Sequence, residues 1–236
     1  MVYNIYTSIN LLEVTMKITK FHQSCLLLEI KDKKILIDPG KIGYTEKMYE
    51  KYWKNINYIF ITHKHNDHCF DEVIKNIVKR DNAKLYISSE VANNYDFEKY
   101  VIVKAGDTLQ FEGFNVEVTK AVHGYLPGMN DNEVKENIGY IFDDFKKRLY
   151  VTSDSLCFNN NYKCDIICMP FNGNGLTFGG FEGPLFAKEV CAKLIIPVHL
   201  EHPNPVMMPD LKKVKTSIEN LGMEYKFLDI LETFEI

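Results

Sequence analysis

Six consecutive residues carry most of the chemistry open to this chain: His63-Lys64-His65-Asn66-Asp67-His68. The chain has seven histidines in 236 residues, and three of them fall here with an aspartate among them. Imidazole nitrogens and carboxylate oxygens are good donors to zinc, iron or manganese. His63 and His65 alternate as two arms toward one ion, while Asp67 and His68 project differently and suit a second. The plain alternative is a polar loop that holds no metal, and it requires the clustering to be accidental.

Such donors need a rigid support. The apolar run Tyr58–Thr62 reads as a strand leading into the cluster, and Phe70–Arg80 follows as a helix with Val73, Ile77 and Val78 at helical spacing. The cluster therefore sits on a strand-to-helix loop, where scaffolds present functional groups. Upstream, Lys17–Phe21, Cys25–Ile30 and Lys34–Asp38 read as strands, the third stopped by Asp38-Pro39-Gly40. Downstream, the strands expected are Lys84–Ser88, Thr108–Phe111, Asn115–Val122, Ile138–Phe142, Arg148–Thr152, Asp165–Pro170 and Leu194–Val198. Helices are expected at Ser89–Tyr95, Pro184–Cys191 and Asp210–Leu221, with Pro184 in a first turn and Gly222 ending the last. Two β-rich halves with intervening helices predict two packed sheets with helices outside.

Composition bounds the class. Apolar residues make up 46% and charged residues 25%, ordinary for a globular protein. The longest apolar stretches, such as Cys25–Leu28 and Leu194–Val198, are far shorter than the ~18 residues of a membrane span. A net charge of −4 offers no general attraction to a phosphate backbone. The six cysteines show no CxxC spacing, and Cys25, Cys164, Cys168 and Cys191 lie in or beside apolar runs, where thiols behave as small hydrophobes. A reducing, cytoplasmic setting is expected. Residues Met1–Thr15 carry neither Lys nor Arg and no signal-type cleavage site; they are expected to form an extension ahead of one domain over residues 16–236.

The HxHxDH pattern resembles that of the metallo-β-lactamase superfamily, and further stations of that family are matched in order. Ile35-Leu36-Ile37-Asp38-Pro39-Gly40 is similar to its first motif, with a bracing aspartate. His123 after Asn115–Val122, Asp154 in Tyr150-Val151-Thr152-Ser153-Asp154, and His199 in Ile195-Ile196-Pro197-Val198-His199 are similar to its remaining ligands. Met16-Lys17-Ile18-Thr19, Ser24–Cys25 and the Ile-Pro-Val-His ending resemble a compact branch of metal-dependent hydrolases related to L-ascorbate-6-phosphate lactonase. That branch commonly has Gly-His where this chain has His22–Gln23, so nothing is carried over to Gln23.

The resemblance implies the αββα sandwich, an α/β arrangement of two mixed sheets with helices on both outer faces. It also implies two divalent ions, zinc expected and manganese or iron the alternatives. His63, His65 and His123 would hold one ion, Asp67, His68 and His199 the other, with Asp154 bridging. A water between two such ions, brought toward pKa ~7, would give the hydroxide that attacks an ester, lactone or phosphoester of a small molecule. Asp67 would accept its proton, and Asp38 would brace an imidazole from behind.

Each position also has a plainer reading. His123 alone would be a satisfied polar group and Asp154 a turn former. His202 reads as a solvated loop residue and Cys69 as a buried, non-ligating thiol. Asn172–Gly180 lacks both GxGxxG and a P-loop lysine, so its glycines serve tight turns beside the pocket, where Asn172 and Asn174 can point inward. The pocket walls are expected at Ile42–Tyr49, Gly124–Asn137 and Leu200–Pro209, with Tyr44, Tyr125, Leu126, Met129 and Met207 giving them apolar character. The competing functions are a metal-dependent phosphodiesterase or nuclease and a non-hydrolytic di-iron oxygen or redox protein. The acidic balance disfavours the first. The second usually has glutamate where His65 stands. No membrane or nucleic-acid partner is expected, and self-association is allowed for.

Overall fold

The computed structural model describes residues 16–127, 133–201, 205 and 208–236. The expected extension Met1–Thr15, and Met129, His202 and Met207, lie outside the described residues. In chain order the elements are β1 (Met16–Lys20), β2 (Leu26–Ile30), β3 (Lys33–Ile37), α1 (Glu46–Tyr52), β4 (Tyr58–Phe60), α2 (Asp71–Asp81) and β5 (Lys84–Ile87). Then come α3 (Ser89–Asn94), β6 (Val101–Ile102), β7 (Thr108–Phe111), β8 (Phe114–Lys120), β9 (Ile138–Asp143), β10 (Arg148–Val151) and β11 (Ile166–Pro170). The remainder is α4 (Glu182–Glu189), β12 (Leu194–Val198), α5 (Leu211–Asn220), β13 (Glu224–Tyr225) and β14 (Thr233–Glu235).

The strands form two seven-stranded sheets, ordered β14-β1-β2-β3-β4-β5-β6 and β13-β12-β11-β10-β9-β8-β7. Each is mixed: β3 to β6 and β10 to β13 run parallel, and the hairpin strands run antiparallel. Alternation along each strand separates three apolar layers. In β2, Leu26, Leu28 and Ile30 enter the core between the sheets, where Val116, Tyr140, Leu149 and Ile196 meet them. Leu27 turns outward beside Leu36, Ile59 and Leu85, under Trp53, Ile74 and Ile77. On the second sheet Ile141, Ile167 and Ile195 face Phe186, Val214 and Ile218 of α4 and α5. Full burial of such a side chain contributes roughly 1.5–3 kcal/mol, so the two outer layers hold the helices firmly.

The helices start and stop for local reasons. Ser88 caps α3 by accepting the Val91 N–H, and Asp210 caps α5 through the Lys212 and Lys213 N–H groups. Asn82, at φ 52°, ends α2 in the left-handed conformation. Three expectations change. Residues 46–52 form α1 rather than loop, because Thr45 caps the Met48 N–H and Met48 packs into the outer layer. Tyr44 lies against the Trp53 and Phe70 rings there. The fourth helix begins at Glu182, two residues ahead of Pro184, which keeps the proline in the first turn. Cys191 is exposed rather than buried, since the chain leaves α4 through it at φ 64°. No helix among the described residues is long and apolar enough to cross a membrane.

Candidate metal centre

One rim of the sandwich collects the residues that could bind metal. Strands β3, β4, β8, β10 and β12 all point their C-terminal ends at it, and within three residues of those ends come Asp38, the 61–70 loop, His123, Asp154 and His199. Sites in open α/β sheets are built at such strand ends. Cross-links between the sheets fix the rim: Tyr140 Oη donates to the Ile61 carbonyl at 2.7 Å, and the Ile138 N–H donates to that of Thr62 at 3.2 Å.

The 61–70 loop is tied down along its length. The Phe70 N–H donates to the Pro39 carbonyl, the Lys41 N–H to that of Asn66, and Tyr95 Oη to that of Lys64 at 2.6 Å. Gly40 stands where the backbone of Asp67 passes: an added Cβ would lie 1.7 Å from the Asp67 carbonyl oxygen. Gly124 meets the carbonyl of Gly175 equally closely and accepts this approach for the same reason.

Two groups of donors result. His63, His65 and His123 form a trio, and Asp67, His68, Asp154 and His199 a quartet; within each, one donor atom per residue lies within 4.8 Å of the others. In the trio His63 Nε2 is 3.1 Å from His65 Nδ1, and the His123 ring centroid is 5.1 and 4.7 Å from those of His63 and His65. In the quartet His199 Nε2 lies 3.1 Å from Asp67 Oδ2 and 3.3 Å from Asp154 Oδ2, and His68 Nε2 lies 3.4 Å from Asp154 Oδ2. The two groups adjoin through the His63 and His68 rings, 4.1 Å apart. All seven residues expected from the sequence therefore meet at one place.

The rings are oriented from behind. Asp38, wholly buried, accepts from the Thr62 N–H at 2.8 Å, from Thr62 Oγ1 at 2.7 Å and from His68 Nδ1 at 2.8 Å. His123 Nδ1 donates to the Gly124 carbonyl at 2.7 Å. His63 Nδ1 lies 3.1 Å from Thr62 Oγ1 and 3.3 Å from Ser153 Oγ, and Ser153 donates to Asn137 Oδ1. Asn137 in turn donates to the Asp154 carbonyl at 2.6 Å. Thr62, Asn137 and Ser153 were not singled out in the sequence; a Thr directly before the histidine cluster was the one available signal. Asp38, Ser153 and His199 all have positive φ, at 47°, 66° and 56°. Such strain costs on the order of 1–3 kcal/mol per residue and collects at functional sites.

Electrostatics divide the two groups. Burial, helped by the neighbouring imidazoles, pushes His63 well below the ordinary histidine value. Burial alone would lower His68 and His199 too, but the carboxylates of Asp154 and Asp67 overcome it and raise both. Burial likewise opposes ionisation of Asp154 and Asp67. The two imidazoles prevail and hold Asp154 at about 2 and Asp67 well below the usual carboxylate range.

The residues fit divalent metal ions. Asp154 Oδ1 is buried in the quartet with no hydrogen-bond partner among the described residues, and His68 Nε2 has only the long 3.4 Å approach of Asp154 Oδ2, a costly arrangement unless a cation completes it. The donor set is imidazole and carboxylate without thiolate; Cys69 is buried in the outer apolar layer, away from it. A cavity of about 780 Å³ between α2 and residues 96–101 touches none of these donors. Another, of about 690 Å³, borders the 171–181 loop, whose Leu176 carbonyl accepts from the Gly124 N–H.

Comparison with known proteins agrees with this geometry. Residues 17–199 match the model of the beta-lactamase superfamily domain. A metal-dependent hydrolase of Listeria welshimeri is 26% identical over 94% of this chain and all of its own length. Among solved structures, a metallo hydrolase of the archaeon Ignicoccus hospitalis superposes with a TM-score of 0.76 at 21% identity, covering 94% of this chain and 98% of its own. A metallo-beta-lactamase fold protein of Bacillus subtilis does so with 0.74 at 16%, covering 95% and 100%. With two sheets, outer helices and the donor-bearing rim in place, the chain belongs to the beta-lactamase superfamily, among its metal-dependent hydrolases.

Proposed function

We propose that the chain hydrolyses an ester, lactone or phosphoester bond of a small molecule at a dinuclear zinc site. His63, His65 and His123 would hold one ion and Asp67, His68 and His199 the other, with Asp154 shared. The observation that carries this reading is the adjoining trio and quartet, with Asp154 Oδ1 buried in the latter and without a hydrogen-bond partner among the described residues. Metal ions held by these residues would supply Lewis acidity and would lower the pKa of a bound water toward ~7.

The protein's own groups do the rest. Asp67, 19% exposed at its side chain, is the most open member of the quartet and accepts the proton of the attacking water. Asp38 holds the proton on His68 Nδ1 and so turns Nε2 to the site. The net charge of −4 favours a small substrate over a nucleic acid, and the reduced cysteines suit a cytoplasmic setting.

The test is metal analysis followed by a screen of lactones, phosphodiesters and thioesters with the zinc-loaded protein. Turnover of a lactone or phosphoester that disappears on chelation and returns with zinc supports the reading. A metal-loaded protein that turns over none of these classes overturns the substrate assignment.

A further inference from the structure

Three of the five imidazoles of this site share one pattern, and His199 departs from it. His63, His68 and His123 each turn one nitrogen to the site and satisfy Nδ1 behind it, on Thr62 and Ser153, on Asp38 and on the Gly124 carbonyl. His199 turns Nε2 toward Asp67 and Asp154, while its Nδ1 is buried with no hydrogen-bond partner among the described residues. A ring that binds metal through Nε2 carries its proton on Nδ1, so this buried N–H needs an acceptor.

An unmatched acceptor lies beside it. Gln23, in the turn between β1 and β2, is wholly buried, and neither Oε1 nor Nε2 of its side chain has a partner among the described residues. The same residue touches His199 through the backbone: the His199 N–H donates to the Gln23 carbonyl at 2.9 Å. Gln23 is held at φ 56°, against any helical or extended preference, and its own N–H is gripped by Glu201 Oε2 at 3.1 Å. Glu201 is fixed by the fully buried Lys20 at 2.6 Å. Leaving a buried amide or a buried imidazole N–H unpaired is costly, and a hydrogen bond between these two would relieve both.

We infer that Gln23 is the positioning residue of His199, its Oε1 accepting from Nδ1–H when the quartet binds metal. The inference rests on the dinuclear reading above. It makes the turn 21–25 a working part of the site: Lys20 and Glu201 hold the turn, the turn holds Gln23, and Gln23 sets the His199 tautomer and ring angle. The other unpaired polar atom of this turn, Ser24 Oγ, has no backbone link to His199 in the structure and serves as the control.

The test titrates the metal-free full chain with zinc against a chromophoric chelator, for wild type, Gln23→Met, Gln23→Glu, Ser24→Ala and His199→Ala. Gln23→Met should weaken one equivalent about 10- to 100-fold, the usual effect of removing a ligand's outer partner. It should be the equivalent that His199→Ala removes, with the other within about threefold of wild type. Gln23→Glu keeps an acceptor oxygen and should restore affinity to within a few-fold, and Ser24→Ala should change little. Melting of the metal-free variants separates lost folding from lost ligation. If Gln23→Met folds and binds both equivalents as wild type does, or if Ser24→Ala produces the loss instead, Gln23 is not the partner. If Gln23→Met does not fold, Gln23→Glu decides: full affinity for both equivalents upholds the assignment, and weakened binding of both overturns it. Wild type binding fewer than two equivalents sinks the dinuclear reading itself, a result distinct from either.

Discussion

The trio and the quartet adjoin at one rim, yet they are built on opposite electrostatics. The trio is all imidazole. Burial and the neighbouring rings keep His63 unprotonated, so a lone pair is free without help from any carboxylate. The quartet pairs two imidazoles with two carboxylates and neutralises itself: Asp67 and Asp154 hold protons on His68 and His199, which in turn keep both carboxyls ionised. The first pocket waits for a cation, whereas the second must give up protons to receive one. That contrast divides the expected consequences of mutation and pH.

The largest effect should come from the trio. His63→Ala with His65→Ala leaves His123 alone and should remove one metal equivalent and at least ~10³ in turnover, since the shared water loses one of its two ions. Retention of both equivalents would erase the distinction between the groups.

Asp67→Asn should follow. It keeps the shape and one oxygen but loses the charge and nearly all basicity. The rate should fall by ~10²–10⁴, with KM little changed, once a substrate is in hand. Metal content is measured on the same preparation; wild-type turnover with both metals present would show that the proton goes elsewhere.

These expectations trace to features that the sequence displays unevenly. The HxHxDH segment, Asp38, His123, Asp154 and His199 were legible because each follows an apolar strand within three residues and the spacing repeats a known pattern. The two-sheet architecture was legible for the same reason: β2, β3, β11 and β12 are dense apolar runs. What supports the ligands was not. Ser153 reaches His63 across 90 positions of chain, with Asn137 behind it, and no local pattern marks such a pairing. Gln23 stands where the resembling branch commonly has histidine, and its role rests only on its burial and its backbone bond to His199. The strands β6, β13 and β14 have two or three residues, too few to show a period, and β14 exists because β1 offers it an edge. Helix α1 hid among lysines and tyrosines, its inward face reduced to Met48.

A smaller effect, confined to the quartet, is expected for Asp38→Ala. Without its acceptor, His68 Nδ1 has no fixed tautomer, and affinity for one equivalent should fall about 10- to 100-fold while the trio's stays near wild type. Equal loss at both sites in a chelator competition would mean that Asp38 braces the whole loop through Thr62 instead.

The pH dependence is subtler and has a definite sign. In the chelated protein His68 and His199 have raised pKa values, so the stability their pairing supplies is whole below about pH 6.5 and is lost as pH rises through the folded values. Asp67 and Asp154 are lowered, so theirs is present above about pH 3.9 and is lost as pH falls, through about 2 for Asp154. The quartet thus stabilises the metal-free chain most between about pH 4 and 6.5, whereas the lowered His63 opposes folding as pH falls below about 6.5. Metal must displace the Nε2 protons, so the gain in Tm on adding zinc should grow from pH 5 to pH 8. A gain independent of pH would show the quartet to be unprotonated before metal arrives.

The central claim is that these seven side chains hold two ions, and elemental analysis of protein purified without chelator addresses it most directly. Two divalent equivalents per chain, one lost in the His63→Ala, His65→Ala variant and the other in His199→Ala, is the result expected. A chain that takes up no divalent ion, or whose metal survives both sets of substitutions, would contradict it.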